Sequence, residues 1–255
     1  QKRDDDVRVG EVFQVENRVG GAALAAAIII LGLGYGISDM ALLVSAPCHE
    51  PLFLIAVLLL AIAGISKAAQ FPFSKWLLGA MVAPTPTSAL LHSSTMVKAG
   101  VFLLIKISPL MANTLVGTLM VVIGSMTFLM SSILAIAQTD AKRTLANSTI
   151  ANLGLIVACS GVGGYEALWA AIFLMIFHAI AKSLLFLCVG TIEHQMGSRD
   201  IEDMHGLIVK LPLLSFFMAV GIAGMVLCII RSVLNHNGFG LAGSIVFGVS
   251  MILLY

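Results

Sequence analysis

The stretch LVGTLMVVIGSMTFLMSSILAIA, which runs from Leu115 to Ala137, contains 23 consecutive residues and no charged side chain. An α-helix needs about 20 predominantly apolar residues to cross the hydrocarbon core of a bilayer, so this stretch predicts a membrane-spanning helix. The whole chain has the same character: 59% of its 255 residues are hydrophobic, 11% are charged and the mean hydropathy is +1.04. Soluble domains are about 25% charged, so the composition predicts an all-α membrane protein.

Apolar runs recur along the chain, separated by polar residues, proline or glycine. They predict a polytopic transmembrane helix bundle with about eight spans. The runs are Gly21–Val44, Leu52–Ser66, Thr87–Ile105, Leu115–Ala137, Leu145–Gly161, Leu168–Gly190, Leu211–Ile230 and Phe239–Tyr255. In this prediction residues 1–20 form a polar N-terminal tail and residues 21–255 form one transmembrane helical domain.

The second run ends irregularly. Lys67 follows it, and Pro72 separates it from another helical patch, Trp76–Val82. Because proline removes a backbone donor and clashes with the preceding turn, Leu52–Val82 is predicted as one discontinuous helix, broken near Lys67–Pro72. Such a break frees backbone carbonyls beside the ammonium, as in the mid-depth sites of transporters. The alternative is that Lys67 ends a short span and snorkels to the interface.

Lysine and arginine are distributed unevenly among the connections. Basic residues occur in the N-terminal tail, in Gln138–Thr144 and in Thr191–Lys210, whereas Ser45–Pro51 and Ser160–Ala167 contain none. Since cytoplasmic connections carry the excess of basic residues, the N-terminal tail is predicted to be cytoplasmic in a multi-pass protein of the inner (plasma) membrane. The formal net charge of +1 argues against a nucleic-acid partner.

Ionisable side chains recur inside the spans, where a charged group is costly. His178 and Lys182 lie deep in Leu168–Gly190, and their i,i+4 spacing places them on one helix face. A neutral histidine and a desolvated lysine can pass a proton along a short chain of water. The alternative is structural, with the histidine hydrogen-bonded to a neighbouring helix and the lysine paired beside it.

His92 and Lys98 share the predicted helix Thr87–Ile105. Six residues, at 3.6 per turn, separate their directions by about 120°, so they are not expected to line one narrow face. One of them is expected to point toward Lys67 and the other toward Lys182. The alternative is that one of the two makes an ordinary contact between helices.

Other polar groups receive structural interpretations. Lys106, at the end of its run, is interpreted as an anchor that snorkels to the interface. The loop EHQMGSRDIED (Glu193–Asp203) is interpreted as solvated, with docking of a partner as the alternative. The four cysteines have no ligand spacing, so neither a disulfide framework nor a metal site is predicted.

Three segments carry a resemblance to a known family: KAAQFPFSKWLLGAMVAPTPTSALLHSSTMVKAG (Lys67–Gly100), DAKRTLANSTIANLGLIV (Asp140–Val157) and FHAIAKSLLFLCVGTIEHQMGSRDIEDM (Phe177–Met204). With them the chain resembles the antiporter-like, proton-pumping membrane subunits of respiratory complex I, Mrp-type cation/proton antiporters and energy-converting membrane-bound hydrogenases. The HSSTMVKAG form and the IEHQMGSRDIEDM loop are more similar to hydrogenase-type and Mrp-type members than to the complex I subunit.

The resemblance implies roles for four of the ionisable residues. Lys67 matches the lysine of the family's broken helix, the proposed proton-loading site. His92 matches the histidine or lysine that connects this site to the centre. His178 and Lys182 match the histidine and the central lysine of the next relay helix.

The chain also departs from the family's pattern. Family members pair the broken-helix lysine with a glutamate on an earlier span, and the predicted tail before Gly21 offers no such partner. They also have a second broken helix with a proline, where this chain has VLCIIRSVLNHNGFG, leaving Arg231 and His236 as possible exit groups. We therefore expect a fragment of a larger antiporter-like bundle or a divergent member.

These observations predict a proton-translocating antiporter-like membrane subunit of a redox-driven complex, of the NADH-quinone oxidoreductase or energy-converting hydrogenase type. Protons would move through Lys67, His92, Lys98, His178, Lys182 and intervening water. Other membrane subunits and a peripheral redox module are the expected partners, and no cofactor, metal or catalytic chemistry is expected in this chain. The alternatives are a Na⁺(cation)/H⁺ antiporter subunit of Mrp type and a non-transporting assembly subunit.

Overall fold

The computed structural model of the chain describes residues 2–46 and 50–234. These residues are mainly α-helical, and a bridge between Asp140 and Asp200 is the extended pairing among them. The helices are α1 (Lys2–Ile29), α2 (Met40–Ser45), α3 (Pro51–Lys67), α4 (Lys75–Gly79), α5 (Thr85–Ser93), α6 (Met96–Met111), α7 (Leu115–Ile136), α8 (Ala141–Val162), α9 (Tyr165–Met196), α10 (Leu207–Lys210) and α11 (Pro212–Leu234).

Five helical segments are long and apolar enough to cross a membrane, and they confirm the prediction of an all-α, polytopic membrane bundle. The segments are Phe13–Gly34, Thr85–Met111, Leu115–Ile136, Ala141–Val162 and Tyr165–Met196. Two more predicted runs fall on the shorter apolar helices Pro51–Lys67 and Pro212–Ala223. The eighth predicted run, Phe239–Tyr255, lies outside the described residues.

The N-terminal end differs from the prediction. The boundary predicted between residues 20 and 21 falls inside α1, which begins at Lys2, and the candidate span begins at Phe13. The boundary therefore does not separate a tail from a span. The buried positions of α1 recur at helical spacing but are small or polar, so they give a weak hydropathy signal. They are Glu16, Gly20, Ala23 and Ala27.

The break predicted near Lys67–Pro72 is confirmed. Helix α3 ends at Lys67, and the helix resumes as α4 at Lys75. The chain turns through Ala69, whose φ of 52° is uncommon for a residue other than glycine. Outside α3, the Phe71 amide donates a hydrogen bond of 3.1 Å to Thr127 Oγ1, so a side chain of α7 satisfies a donor that the break exposes.

The helix predicted over Thr87–Ile105 is interrupted in its middle. Helix α5 ends at Ser93, α6 begins at Met96, and the Thr95 hydroxyl donates 3.2 Å back to the Leu90 carbonyl. The helical phase restarts after this interruption, so a spacing of six residues does not fix the relative directions of His92 and Lys98. The continuous helix on which the predicted separation of these two side chains rests is therefore absent.

Helices α7 and α8 approach each other closely along a seam of four glycines. Gly117 lies opposite Gly161, and Gly124 lies opposite Gly154. A Cβ atom at Gly124 would stand 2.5 Å from the Gly154 carbonyl oxygen, and a Cβ at Gly154 would stand 2.7 Å from the Gly124 oxygen. Small residues at a helix interface let the two backbones meet, which is how helices commonly associate in membranes.

The seam makes a prediction about stability. We expect Gly124→Ala to lower the free energy of unfolding by about 1–3 kcal/mol, because the new methyl group overpacks the seam. The matched control is Gly21→Ala, since a Cβ at Gly21 meets nothing within 4 Å. Thermal denaturation of the detergent-purified protein should show a lower Tm for Gly124→Ala alone. An equal Tm for the two variants would contradict the close packing of the seam.

Candidate functional site

Four of the five predicted relay residues come together at the centre of the bundle. They lie on three helices: His92 on α5, Lys98 on α6, and His178 and Lys182 on α9. All four are buried, and Lys182 has no exposed surface. Electrostatic interactions join His92 and His178 to both lysines. The structure thus gathers two lysines and two histidines in a place where an ion is costly.

The contact between α6 and α9 is a lysine–histidine pair. Lys98 Nζ lies 2.5 Å from His178 Nδ1, within hydrogen-bond distance. An ammonium has only donors, so a charged Lys98 donates to an unprotonated Nδ1 and the histidine then carries its proton on Nε2. Nε2 has no hydrogen-bond partner among the described residues. The pair can therefore hold a proton on either of its two partners.

Lys182 makes its hydrogen bonds with helix α8. Its Nζ donates to the Ser148 hydroxyl and, at 3.4 Å, to the Leu145 carbonyl. Both of these groups are neutral. They replace hydrogen bonds that the ammonium would otherwise make with water.

His92 lies against the same part of α9. Its ring stacks on Phe186, with 4.7 Å between the centroids and 29° between the planes. Neither ring nitrogen has a hydrogen-bond partner among the described residues. Buried polar atoms are usually satisfied by protein or by ordered water. Phe186 lies one turn beyond Lys182 on α9, so the ring of His92 lies near Lys182. Its two ring nitrogens therefore favour water between His92 and Lys182.

Lys67 lies apart from this cluster. It is half-buried at the last turn of α3, and its Nζ donates to Asn17 Oδ1 on α1. The neighbouring Glu16 is buried, and its carboxylate accepts a 3.3 Å hydrogen bond from the Trp76 amide. The N-terminal residues predicted as a polar tail thus supply the side chains that surround the helix break, although the group bonded to Lys67 is an amide.

The end of α3 nevertheless contacts the helix that carries Lys98. A Cβ at Gly100 would stand 2.5 Å from the Ala68 amide nitrogen and 3.0 Å from the Lys67 carbonyl carbon. Gly100 therefore lets α6 approach the helix break directly. Lys67 and Lys98 lie on the two backbones that meet at this point.

The remaining predicted residues have other positions. Lys106 is exposed, and its Nζ lies 5.7 Å from the centroid of the Phe102 ring. Its interpretation as an anchor that snorkels to the interface stays a prediction. Arg231 lies on α11, in a stretch whose side chains the structure does not describe. His236 lies outside the described residues.

Sequence reasoning missed an ion pair at the ends of α8 and α9. Lys142 Nζ lies 2.7 Å from Glu193 Oε2, and the Lys142 side chain is only 2% exposed. Arg199 also bonds to Glu193, and the Thr85 hydroxyl donates to it at 3.3 Å. The interpretation of the Glu193–Asp203 loop as solvated is therefore wrong for its first residue, because α9 continues to Met196 and keeps Glu193 against α8.

One signal in the sequence could have revealed this pair. Lys182 and Glu193 are 11 residues apart, which is three helical turns plus about 20°, so both lie on one face of α9. The predicted apolar run ended at Gly190, three residues before Glu193. Because the predicted helix ended at Gly190, the prediction did not place the Glu193 carboxylate on the helix face that carries Lys182.

Comparisons with known proteins agree with this architecture. Residues 2–238 match the family described as "NADH:quinone oxidoreductase/Mrp antiporter, TM". A protein of Rhizobium meliloti (strain 1021), named as a probable K(+)/H(+) antiporter component, is 41% identical over 81% of this chain and 21% of its own length. The antiporter protein mnhA2 of Staphylococcus aureus (strain MRSA252) is 38% identical over 81% of this chain and 28% of its own length.

Two solved structures share the fold. The Mrp complex from Dietzia sp. DQ12-45-1b superposes with a TM-score of 0.76 at 30% identity, over 96% of this chain and 29% of that chain. The archaeal membrane-bound sulfane sulfur reductase superposes with a TM-score of 0.85 at 23% identity, over 99% of this chain and 55% of that chain. This chain thus spans between a fifth and a third of the two curated relatives. It belongs to the NADH:quinone oxidoreductase/Mrp antiporter family of antiporter-like membrane subunits.

Proposed function

We propose that this chain is the part of a cation/proton antiporter subunit that conducts protons, through Lys67, Lys98, His178, His92 and Lys182 with water between them. The observation that carries the proposal is the central cluster of two buried lysines and two buried histidines. Lys98 contacts a histidine, and Lys182 donates to a hydroxyl and to a carbonyl. Retaining such groups in an apolar bundle is costly, and proton transfer gives a reason for it.

The geometry indicates how the charges communicate. Two unit charges separated by a few ångströms in a medium of low polarity repel each other strongly. A proton that arrives at Lys98 therefore disfavours a second positive charge at Lys182. His178 contacts Lys98 and stands one turn from Lys182 on the same helix, so it can relay the proton between them. The contact of α6 with the helix break connects Lys67 to this exchange.

The type of assembly is also part of the proposal. Relatives at 41% and 38% identity carry antiporter names, and the Mrp complex shares the fold at 30% identity. We infer that the chain works with other membrane subunits and couples proton movement to a monovalent cation. The redox-driven complex predicted from the sequence is the second candidate, since the sulfane sulfur reductase shares the fold over 99% of the chain. A peripheral redox module would be needed only in this second case.

The orientation follows from the basic residues. We propose that the N-terminal end of α1 faces the cytoplasm in a plasma membrane, as the lysine and arginine bias predicts. Two of the basic connections lie side by side: the Ala141 amide donates to the Arg199 carbonyl at 3.0 Å, and the Ile201 amide donates to the Thr139 carbonyl at 2.9 Å. The side that carries Lys142, Glu193 and Arg199 is then the cytoplasmic side.

The role of the buried cluster can be tested at Lys182. We expect Lys182→Met to reduce proton transport into everted membrane vesicles by about tenfold or more, because a positioned proton-transfer group commonly contributes a factor of about 10² or greater. Lys106→Met is the matched control and should retain transport, since Lys106 is exposed. A native gel must show equal assembly of both variants. Unchanged transport in assembled Lys182→Met would identify the chain as a scaffold.

The coupling ion can be tested separately from the relay. In proteoliposomes that hold the purified assembly and a pH-sensitive dye, we expect an imposed K⁺ or Na⁺ gradient to drive proton flux without an electron donor. The same liposomes with Lys182→Met should show little flux. If protons move only after an electron donor and acceptor are added, the assembly is redox-driven and the antiporter proposal fails.

A further inference from the structure

Helices α5, α8 and α9, which surround Lys182 and His92, are tied together at one end by Glu193. The carboxylate, on α9, pairs with Lys142 of α8 at 2.7 Å and accepts a hydrogen bond from Thr85 of α5 at 3.3 Å. The α5–α9 contact is tight, because a Cβ at Gly190 would stand 2.3 Å from Thr85 Cγ2. Arg199, on the connection that follows, pairs with the other carboxylate oxygen.

Glu193 is the partner that makes the burial of Lys142 possible. The Lys142 side chain is 2% exposed, whereas Glu193 is 22% and Arg199 is 45% exposed. Removing one partner of a buried pair leaves an uncompensated charge, which costs more than the pair itself contributes. Arg199 reaches water, so its charge is screened by solvent. Loss of the Glu193 charge would therefore leave one buried positive charge, at Lys142.

This charge would act on Lys182 through an apolar region. Glu193 lies three turns from Lys182 on one face of α9, about 16.5 Å along the axis. Leu185, Phe186 and Val189 lie between the two residues on α9 and belong to a cluster of buried apolar side chains. The cluster includes Met81, Ala89, Leu145, Leu185, Phe186 and Val189. Coulomb interactions extend further through such a region than through solvent.

We propose that Glu193 is a positioning residue of the relay, which neutralises Lys142 and thereby sets the proton affinity of Lys182 from the end of the bundle. The inference rests on the proposed proton conduction and adds to it a residue that touches none of the relay groups. The charged and titratable groups around Glu193 are Lys142 and Arg199. Those around Lys182 include Lys98, His178 and His92.

The test measures proton transport as a function of pH in everted vesicles that hold the complete membrane assembly. Glu193→Gln leaves Lys142 uncompensated, and the added positive charge disfavours protonation of Lys182. The pH of half-maximal transport should therefore move about half to one unit toward acid. This magnitude follows from the axial distance of about 16.5 Å between Glu193, which Lys142 contacts, and Lys182, with an effective dielectric constant of about 20. Lys142→Met removes the buried cation and should move the pH of half-maximal transport in the alkaline direction. The double variant should return to the wild-type profile.

The control is Glu202→Gln, which removes a carboxylate from the same connection at an exposed position. Solvent screens this charge, so its pH profile should match that of the wild type. A network that merely holds the helices together would reduce transport at every pH in both single variants without opposite shifts. Lys142→Met carries the test by itself if Glu193→Gln does not assemble, since the alkaline shift is still required.

The outcomes separate the inference from the proposed function. If Lys182→Met abolishes transport and the Glu193 and Lys142 variants keep the wild-type profile, the relay stands and Glu193 has no part in it. If the single variants shift in the same direction, the electrostatic role of Glu193 is also overturned. If Lys182→Met transports normally, proton conduction by this cluster fails, whatever the other variants show.

Discussion

The burial of two lysines in an apolar helix bundle constrains everything around them. Lys98 and Lys182 each bring a group that water solvates far better than hydrocarbon does, so neighbouring helices must supply replacement hydrogen bonds. A ring nitrogen of His178 serves Lys98, and a hydroxyl and a carbonyl of α8 serve Lys182. These contacts fix the register of α6, α8 and α9 relative to one another. The close approaches at Gly100 and along the α7–α8 seam provide the room for that register.

The same constraint explains why the two ends of the site differ. At the helix break, Lys67 is half-buried and bonded to a neutral amide, beside a buried carboxylate that is occupied by a backbone amide. At the far end of α9, Lys142 is fully paired with Glu193. The central cluster is therefore flanked by a lysine with a neutral partner at one end and by an ion pair at the other. In the proposed relay, the central lysines thus meet a different electrostatic environment on each side.

The sequence was sufficient for features that depend on hydropathy and on local helical spacing. The membrane bundle, the break after Lys67 and the shared face of His178 and Lys182 all follow from patterns within one segment. The sequence failed where an interruption or a partner on another helix decides the outcome. The interruption between Ser93 and Met96 removes the continuous helix from which the directions of His92 and Lys98 were predicted, and the burial of Glu16 and Lys142 depends on helices distant in sequence. The helical period of 3.6 residues predicts neither an interruption within a helix nor a partner on a distant helix.

Helix α8 has a further consequence for how the relay can move. It is buried over 89% of its candidate span, and the glycine seam locks it to α7 at backbone distance. Packed interiors of this kind switch between discrete arrangements and do not deform gradually. Helix α8 is therefore the rigid element of the bundle. Any rearrangement of the bundle is thus expected in the elements that meet α8 through side chains, α6 and α9, while Ser148 and Leu145 remain fixed hydrogen-bond acceptors for Lys182.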